Sequence, residues 1–220
     1  MNNEKKFIGI GITTYNRPEH LKLCLSQINK HTKRFKLYIA DDSTERLGIA
    51  KRKNECIKEL QDCEHIVLFD DDCFPIKDGW VDLIVESHTK EPHLLYLKET
   101  SSIKKIKSKN KIDYYNNCGG CMITLTKEVA NKVGGFNEEY GIYGFEHAAF
   151  SAKVYRSKLT TEPYCSPSSI GEYIYSLDFD NYIDWGINHK TSLSYEEAME
   201  SIKRNYTVYK KEVINNDVNV

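Results

Sequence analysis

The sequence has no long hydrophobic run and few prolines. No uncharged apolar stretch approaches the roughly 18–20 residues that span a bilayer, and the 220 residues include five prolines and no repeated or glycine-rich stretch. These absences exclude a fibre or a solenoid and predict that the chain has no transmembrane segment. The first apolar segment, from Phe7 to Ile12, contains two glycines and ends in polar residues. It predicts a first strand and not the core of a secretion signal.

An excess of charge of either sign is also missing. The 31 lysines and arginines are balanced by 32 aspartates and glutamates, which gives a formal net charge of -1. This balance excludes a basic surface that would coat nucleic acid, although it allows a local basic patch. The seven cysteines are odd in number and scattered. Without a secretion signal they predict reduced thiols and a cytoplasmic location.

The sequence does contain an alternation of strand and helix patterns. With 40% hydrophobic residues, a chain of this length can form a well-packed core. The first hundred residues predict four strands with helices between them, at Phe7–Thr13, Phe35–Ala40, His65–Phe69 and His93–Leu97. This order favours an α/β fold with a mainly parallel sheet that helices cover on both faces.

The second half predicts a small antiparallel part and further helices. Two strands, Ile112–Tyr115 and Met122–Leu125, flank a glycine pair. Ser194 and Glu197 have the spacing of a capping box at the start of a last helix. Its predicted inward residues are Tyr195, Ala198 or Met199, Ile202, Tyr206, Tyr209 and Val213. No linker is visible, so we expect one domain over residues 1–190, with a helical extension over 191–220 packed on it.

Polar residues follow each of the first three predicted strands. The three groups are Thr13-Thr14-Tyr15-Asn16-Arg17, Asp41-Asp42-Ser43 and Asp70-Asp71-Asp72. In an open parallel sheet, ligands bind beyond the carboxyl ends of the strands, where loops and helix N-termini converge. The three groups therefore predict a nucleotide or phosphate site at one edge of the sheet. Loops are polar in general, and Asp41-Asp42 fits that plainer interpretation equally well.

The run from Asp70 to Asp72 is the most specific of the three groups. Consecutive carboxylates after an apolar strand repel one another unless a cation or hydrogen-bond donors compensate them. Oxygen ligands of this kind suit Mg²⁺ or Mn²⁺, ions that commonly bind substrate phosphates as well. We expect a metal ion here. The plainer alternative is that the aspartates cap the helix that follows.

Other motifs predict structure more than chemistry. Gly9-x-Gly11 lacks the third glycine of a dinucleotide-binding fingerprint and lies within the strand. Cys118-x-x-Cys121 has the spacing of a redox or zinc site, but no second cysteine pair accompanies it, which favours a structural turn at Gly119-Gly120. Five lysines between Lys104 and Lys111 predict a solvated, mobile loop. The alternative is a clamp on a diphosphate or on an anionic acceptor.

In order and spacing, these motifs resemble the GT-A fold glycosyltransferases, most closely the large family 2 of inverting enzymes. The segments concerned are Thr13-Thr14-Tyr15-Asn16-Arg17-Pro18, Asp41-Asp42-Ser43, Gly48 with Lys53-Asn54, and Phe69-Asp70-Asp71-Asp72. A later stretch is similar to the acceptor half of β-1,4-galactosyltransferases and bacterial chondroitin-type polymerases. It runs from Gly119-Gly120-Cys121-Met122 through Val133-Gly134-Gly135-Phe136 to Tyr143-Gly144-Phe145-Glu146. The resemblance covers roughly residues 5–180 and implies a GT-A, Rossmann-like sheet.

The resemblance also implies which residues hold a nucleotide-sugar. Those expected at the donor are Thr13, Tyr15, Arg17, Asp41 or Asp42, Lys53, Asp70, Asp71, Gly119 and Gly120. Lys53 stands where the family has an arginine that contacts the base. The glycine pair would let the backbone approach the donor sugar closely.

For the metal ion, Asp70 and Asp72 would form the Asp-x-Asp pair of the family, with Asp72 the direct ligand of Mn²⁺ or Mg²⁺. The general base of the family is a carboxylate in a Glu-Asp pair at the start of a helix. Here the pair is Glu146-His147, so either side chain could accept the proton. A histidine that the galactosyltransferase-like enzymes use as third ligand has no counterpart in its usual window, and His189 is the nearest later candidate.

The resemblance therefore implies a metal-dependent inverting glycosyltransferase that uses a UDP-hexose or UDP-N-acetylhexosamine. Two alternatives stay open: a sugar-nucleotide- or glycan-binding protein without catalysis, and another Asp-x-Asp enzyme such as a nucleotidyltransferase or phosphatase. The acceptor is a hydroxyl on a glycan, a lipid-linked sugar, a protein or a modified DNA base.

Overall fold

A computed structural model of the chain describes residues 8–180, 182–187 and 193–215. Its ten strands lie in three sheets. In chain order they are β1 (Ile8–Thr14), β2 (Phe35–Asp41), β3 (His65–Asp70), β4 (Cys73–Pro75), β5 (His93–Leu95), β6 (Lys105–Lys109), β7 (Ile112–Tyr115), β8 (Met122–Thr126), β9 (Cys165–Pro167) and β10 (Ile174–Ser176). No helix in the described part of the chain combines the length and the apolar character that crossing a membrane requires.

The central sheet has five strands in the order β2-β1-β3-β8-β5. Strands β2, β1 and β3 run parallel, whereas β8 is antiparallel to both of its neighbours. The prediction of an α/β fold with a mainly parallel sheet is confirmed. The predicted strand over His93–Leu97 also exists, but it is shorter and pairs with β8. Phe7, predicted to begin the first strand, lies outside the described residues.

The described part of the chain contains six α-helices. They are α1 (Pro18–His31), α2 (Ile49–Glu59), α3 (Trp80–His88), α4 (Lys127–Val133), α5 (Glu146–Arg156) and α6 (Tyr195–Tyr209), which continues in a π-helical turn over Lys210–Ile214. Along β3, Val67 and Phe69 pack in one apolar layer with α1 and α3, while Ile66 and Leu68 pack in another with α2, α4 and α5. The strand is buried on both faces because its side chains alternate between the two layers.

Two glycines in β1 allow helix α2 to pack against the sheet. A Cβ atom at Gly9 would lie 2.9 Å from the Cys63 Sγ, and one at Gly11 would lie 2.7 Å from the Cys56 Cβ. Such distances are shorter than real side chains tolerate, so larger residues would push α2 away. The Gly9-x-Gly11 pattern is therefore a packing feature, consistent with its rejection as a nucleotide fingerprint.

The lysine-rich segment is a β-hairpin and not the predicted mobile loop. Strand β6 pairs with β7, which also pairs with β9. Asn110 and Lys111 form the turn with positive φ angles of 53° and 64°, as a two-residue hairpin turn requires. Three of the lysines pair with acidic side chains: Lys105 with Asp113, Lys107 with Glu162, and Lys111 with Glu86.

Helix α6 begins as predicted, and its predicted inward side is confirmed in part: Val213 is buried and Tyr209 packs against the core. The Ser194 hydroxyl accepts from the Glu197 N–H, and the Glu197 carboxylate accepts from the Ser194 N–H, which confirms the capping box. Tyr195 is 77% exposed, and Met199 and Tyr206 are exposed as well. The fully buried residue of the helix is Asn205. A polar side chain takes the inward position because it has backbone carbonyls to bind, which hydrophobic periodicity does not register.

Candidate active site

The carboxyl ends of β1, β2 and β3 meet at one edge of the central sheet. The strand register pairs Thr14 with Asp41 and Thr13 with Asp70. Because the three strands are parallel neighbours, the three polar groups that follow them lie side by side. Backbone hydrogen bonds continue this contact beyond the strands, from the Asp42 N–H to the Thr14 carbonyl (2.9 Å) and from the Asp71 N–H to the Thr13 carbonyl (3.1 Å).

A cavity of about 480 Å³ opens at this edge. Of the residues predicted to bind donor or metal, it is lined by Thr13, Tyr15, Arg17, Asp42, Asp70, Asp72, Gly119 and Gly120. A volume of this size accommodates a small organic ligand. The structure thus brings together residues that are more than 100 positions apart in the chain.

Two cations, the partly exposed Arg17 and the buried Lys53, compensate the carboxylates of the acidic run. Arg17 forms an ion pair with both Asp71 and Asp72, the latter at 2.9 Å between Nη1 and Oδ2. Lys53 pairs with Asp70, which also accepts from the Thr13 hydroxyl at 2.8 Å. The repulsion expected from the sequence is therefore relieved by side chains of the protein itself.

The three carboxyl groups differ in their tendency to ionise. Burial raises the pKa of Asp71 to about 7 and that of Asp72 to about 6, although Arg17 opposes both shifts. Burial acts on Asp70 as well, but the Lys53 ammonium holds the pKa of Asp70 below its ordinary value. An additional cation beside Asp72 would favour its ionised form.

The chemistry of this edge fits a divalent metal ion. The Oδ1 atom of Asp72 is buried and has no hydrogen-bond partner among the described residues, and Asp70 and Asp178 line the same cavity. Carboxylate oxygens are the ligands that Mg²⁺ and Mn²⁺ prefer. Within the described ranges, no three His, Cys, Asp or Glu side chains are already grouped to hold a metal ion. His189, the predicted third ligand, lies outside those ranges.

The two aspartates that end β2 have different surroundings. Asp41 is exposed, accepts from the backbone and hydroxyl of Ser43, and does not line the cavity. Asp42 does line it. Its carboxylate accepts from the Leu47 and Gly48 N–H groups at 2.6 and 2.9 Å and from the Arg52 Nε at 3.0 Å. Of the two alternatives, Asp42 is the one available to a ligand.

Two predicted donor-binding residues lie behind the cavity and not on its surface. Lys53 is 1% exposed and its ammonium is directed to Asp70, so it neutralises a carboxylate where a contact with the nucleotide base was expected. Asp71 is fully buried, with its Oδ2 accepting from the Thr14 hydroxyl at 2.6 Å. Both residues support the cavity wall without lining it.

Glu146 and His147 begin helix α5 directly behind the glycine pair. Both are buried, and a Cβ atom at Gly120 would overlap the imidazole ring of His147. Burial raises the pKa of Glu146 and, together with Lys53, lowers the pKa of His147 to about 3, so the imidazole is neutral. The Glu146 Oε2 and both ring nitrogens of His147 have no hydrogen-bond partner within the described ranges. Buried polar atoms without a partner are uncommon, although neither side chain lines the cavity itself.

One acidic residue of the site was not predicted from the sequence. Asp178 lines the cavity because β10 pairs antiparallel with β4, with Ser176 opposite Cys73. The Leu177 N–H then donates to the Asp72 carbonyl at 2.9 Å. The rule that polar residues follow strands at a ligand site would have found Asp178 if the three-residue strand β10 had been recognised.

The remaining lining residues come from the end of β1, from α2, from loops and from α6. They are Thr14, Arg46, Ile49, Arg52, Ile142, Tyr143, Phe179, Leu193, Ser194, Tyr195 and Ala198. The guanidinium of Arg46 lies 5.4 Å from the centre of the Tyr15 ring and pairs with Glu197 at 2.7 Å. The hairpin lysines are not among the lining residues, so the cavity gives no support to the alternative that they clamp a diphosphate.

Comparison with known proteins agrees with this architecture. Residues 101–176 match the family model described as the N-terminal domain of galactosyltransferase. No curated protein sequence matches the chain significantly. The catalytic domain of Drosophila β1,4-galactosyltransferase 7 in complex with xylobiose has 14% identity and a TM-score of 0.54, over 90% of this chain and 79% of that one.

Two further structures extend the similarity. A mutant of the Drosophila enzyme with manganese, UDP-Gal and xylobiose has 15% identity and a TM-score of 0.54, over 85% of this chain and 82% of that one. A mannosyltransferase from Pyrobaculum calidifontis with GDP-Man and Mn²⁺ has 13% identity and a TM-score of 0.55, over 74% of this chain and 55% of that one. The chain has the GT-A fold.

In this GT-A domain, the galactosyltransferase-type segment contributes one side of the cavity. Residues 101–176 include the glycine pair, Glu146 and His147, and they end at β10, two residues before Asp178. The acidic run and the Thr13–Arg17 segment come from the preceding strands. The site therefore lies between the parallel strands and the galactosyltransferase-type segment, which resembles the corresponding part of β-1,4-galactosyltransferases.

Proposed function

We propose that this GT-A domain is an inverting glycosyltransferase that transfers a sugar from a nucleotide-sugar to an acceptor hydroxyl with a divalent metal ion bound. The proposal rests on the cavity at the strand ends, where Thr13, Asp42, Asp70 and Asp72 converge. His147 lies directly behind Gly120, and Glu146 is the preceding residue. An open parallel sheet binds nucleotide ligands at this edge.

The donor is a UDP-hexose or UDP-N-acetylhexosamine. Tyr15, Asp42 and Arg46 line the part of the cavity that would receive the nucleoside, and the Gly119-Gly120 turn would lie against the sugar. UDP-Gal is bound by the Drosophila neighbour, whereas GDP-Man is bound by the mannosyltransferase. A donor screen must therefore include both nucleotides.

The metal ligands are Asp72, with its unpartnered Oδ1, and Asp70. When bound, Mn²⁺ or Mg²⁺ stabilises the negative charge that develops on the departing diphosphate. Arg17 holds the Asp72 carboxylate in place through its other oxygen, Oδ2. Lys53 keeps Asp70 ionised from behind.

In the reaction, the acceptor oxygen forms a bond to the anomeric carbon while the bond from that carbon to the nucleoside diphosphate breaks. The acceptor proton passes to a general base on the side opposite the leaving group. Two side chains are candidates, the Glu146 carboxylate and the neutral His147 imidazole. The variants Glu146→Gln and His147→Gln distinguish the two. Only the variant that lacks the general base should lose the fall in kcat at low pH that protonation of this base causes.

The mouth of the cavity favours a neutral sugar as acceptor. Ile142, Tyr143, Phe179 and Tyr195 all line it with exposed apolar surface. Aromatic faces match the apolar face of a pyranose ring, and exposed apolar patches of this kind mark binding sites. Asp178 lines the same cavity, and its carboxylate would repel a phosphate-bearing acceptor.

The test is a screen of UDP-, GDP- and TDP-sugars with Mn²⁺ and Mg²⁺, in which release of nucleoside diphosphate and labelled sugar on a glycan acceptor are both measured. We expect turnover with a UDP-sugar, and an Asp72→Asn variant should reduce kcat/KM by on the order of 100-fold. Asp62→Asn, which removes an exposed carboxylate far from the cavity, is the matched control. Undiminished turnover by Asp72→Asn would contradict the metal assignment.

A second candidate is a nucleotide-sugar-binding protein without turnover. It is favoured by the pairing of the carboxylates with Arg17 and Lys53 and by the position of both candidate bases behind the cavity surface. Calorimetry distinguishes the two functions. Binding of UDP without transfer to any member of a broad acceptor panel would support the binding protein.

A further inference from the structure

Helix α6 has one fully buried side chain, and that side chain is polar. Asn205 is 0% exposed, while most of the helix faces solvent. Its amide Nδ2 donates to the Tyr143 carbonyl at 2.7 Å and to the Gly144 carbonyl at 3.0 Å. Burying the amide nitrogen is favourable because both of its hydrogen bonds are made, whereas the buried Oδ1 has no partner among the described residues. The side chain of Asn205 therefore binds the backbone of residues 143 and 144.

A second residue of the same helix face binds the same backbone. The Ser201 hydroxyl donates to the Tyr143 carbonyl at 2.8 Å and accepts from the Tyr143 N–H at 3.1 Å. The backbone groups of Tyr143 are thus satisfied by α6 and not by neighbouring loop residues. Residues 141–145, which we call the hinge loop, lie under the helix.

The hinge loop has a backbone that requires such support. Gly141, Gly144 and Phe145 have positive φ angles of 61°, 99° and 71°. For a bulky residue such as Phe145 this conformation is uncommon and persists only where surrounding contacts hold it. Its ring packs against Tyr206 and Tyr209 of α6, with ring centroids 5.5 and 5.1 Å apart. The next residue is Glu146, the first of α5.

The beginning of α6 lies at the donor cavity. Leu193, Ser194, Tyr195 and Ala198 line it, and Glu197 pairs with Arg46 of the opposite wall. The same helix therefore contacts the cavity with its first turn and the hinge loop with its middle and last turns.

We propose that α6 belongs to the catalytic apparatus and that Asn205 is a positioning residue, which holds the hinge loop so that Glu146 and His147 keep their place behind the cavity. This inference rests on the proposed glycosyltransferase function for its effect on turnover. Asn205 touches neither donor nor acceptor and acts through the backbone of Tyr143 and Gly144.

The test compares Asn205→Asp with Val213→Ala in the full chain. Asn205→Asp keeps the shape of the side chain but replaces the donating amide by an oxygen that faces two carbonyl oxygens. Val213→Ala removes two buried methyl groups from the turn after α6 but no hydrogen bond to the hinge loop, and it reports general destabilisation. Misplacement of a catalytic group by about 1 Å costs on the order of 100-fold, so we expect kcat to fall by that order in Asn205→Asp while the donor KM changes little.

An activity-independent measurement accompanies the kinetics. Amide hydrogen exchange of residues 142–147 should become faster in Asn205→Asp and in the milder Ser201→Ala, but not in Val213→Ala or in Lys203→Ala, an exposed control on the same helix. Unchanged hydrogen exchange in both Asn205→Asp and Ser201→Ala overturns the proposal. Equal losses of kcat in Asn205→Asp and Val213→Ala, at matched thermal midpoints, overturn it as well. If the wild-type chain transfers no sugar, the proposed function fails, and the exchange result alone decides whether α6 anchors the loop.

Discussion

At the residue scale, Gly120 is a position with little tolerance for a side chain. It lines the cavity, and the imidazole of His147 occupies the space that a Cβ atom would need. The sequence predicted a structural turn at this glycine pair, and the resemblance to GT-A glycosyltransferases implied a close approach of its backbone to the donor sugar. The structure adds a second reason, since the backbone must also pass over a buried histidine.

Gly120→Ala should destabilise the protein by roughly 1–3 kcal/mol, the usual cost of overpacking. Chemical denaturation measures this, and a double-mutant cycle with His147→Ala tests the cause. The penalty of Gly120→Ala should shrink in the His147→Ala background, because the overlapping ring is gone. An equal penalty in both backgrounds would mean that His147 is not the obstacle.

The charged residues of the site also illustrate what a sequence leaves undetermined at this scale. Three adjacent aspartates predict that a compensating charge is present, since their mutual repulsion follows from proximity alone. They do not identify Arg17 and Lys53 as the partners, because Arg17 precedes α1 and Lys53 lies within α2. Only the fold determines the distance between charges that are far apart in the chain.

At the scale of the element, the β6–β7 hairpin replaces the expected basic loop. Lysines on an edge strand prevent that strand from pairing with other chains, and here they also pair with Asp113, Glu162 and Glu86. None of them lines the cavity. The exposed edge of this sheet therefore explains why the hairpin has so many lysines, and no bound anion is needed to explain them.

Replacing Lys105, Lys107 and Lys109 by alanine should therefore change the transfer rate by less than about twofold, since exposed ion pairs contribute little. The rate is measured on one neutral and one anionic acceptor, with Arg46→Ala as a variant that does line the cavity. A selective loss on the anionic acceptor would restore the lysines to acceptor binding.

At the scale of the whole molecule, the histidines His65, His88 and His93 form a network of polar contacts that connects several elements. His65 and His88 are 2.8 Å apart between their Nδ1 atoms, and the His88 Nε2 lies 2.8 Å from the Thr124 hydroxyl. His93 contacts the Thr124 carbonyl and the Ser151 hydroxyl at 3.0 and 2.9 Å. These contacts link β3, α3, β5, β8 and α5.

The network predicts a loss of stability in mild acid. Burial lowers the pKa of His93 from 6.5 to about 4 and holds the pKa of His88 well below its usual value. Between pH 6.5 and about pH 4, these histidines bind more protons in the unfolded chain than in the folded one. The free energy of unfolding therefore falls as the pH drops through this range. The His93 shift alone corresponds to roughly 3 kcal/mol. Urea denaturation across this range measures the loss, and His93→Gln should flatten the profile; an unchanged slope would contradict the assignment.

The sequence by itself determined the elements and their order. Alternating apolar periodicity, a proline at the start of α1 and the capping box of α6 are local patterns, and local patterns act within a few residues. They predicted the parallel strands and the position of the polar strand ends. The resemblance to GT-A glycosyltransferases follows from the same segments.

The tertiary structure alone decided which polar residues share a site. Strand register set Asp42 rather than Asp41 at the cavity, the pairing of β4 with β10 added Asp178, and packing behind the sheet assigned Lys53 to Asp70. It also turned α6 so that Asn205 faces inward. These outcomes depend on contacts between residues far apart in sequence, whose distances are fixed only when the chain has folded.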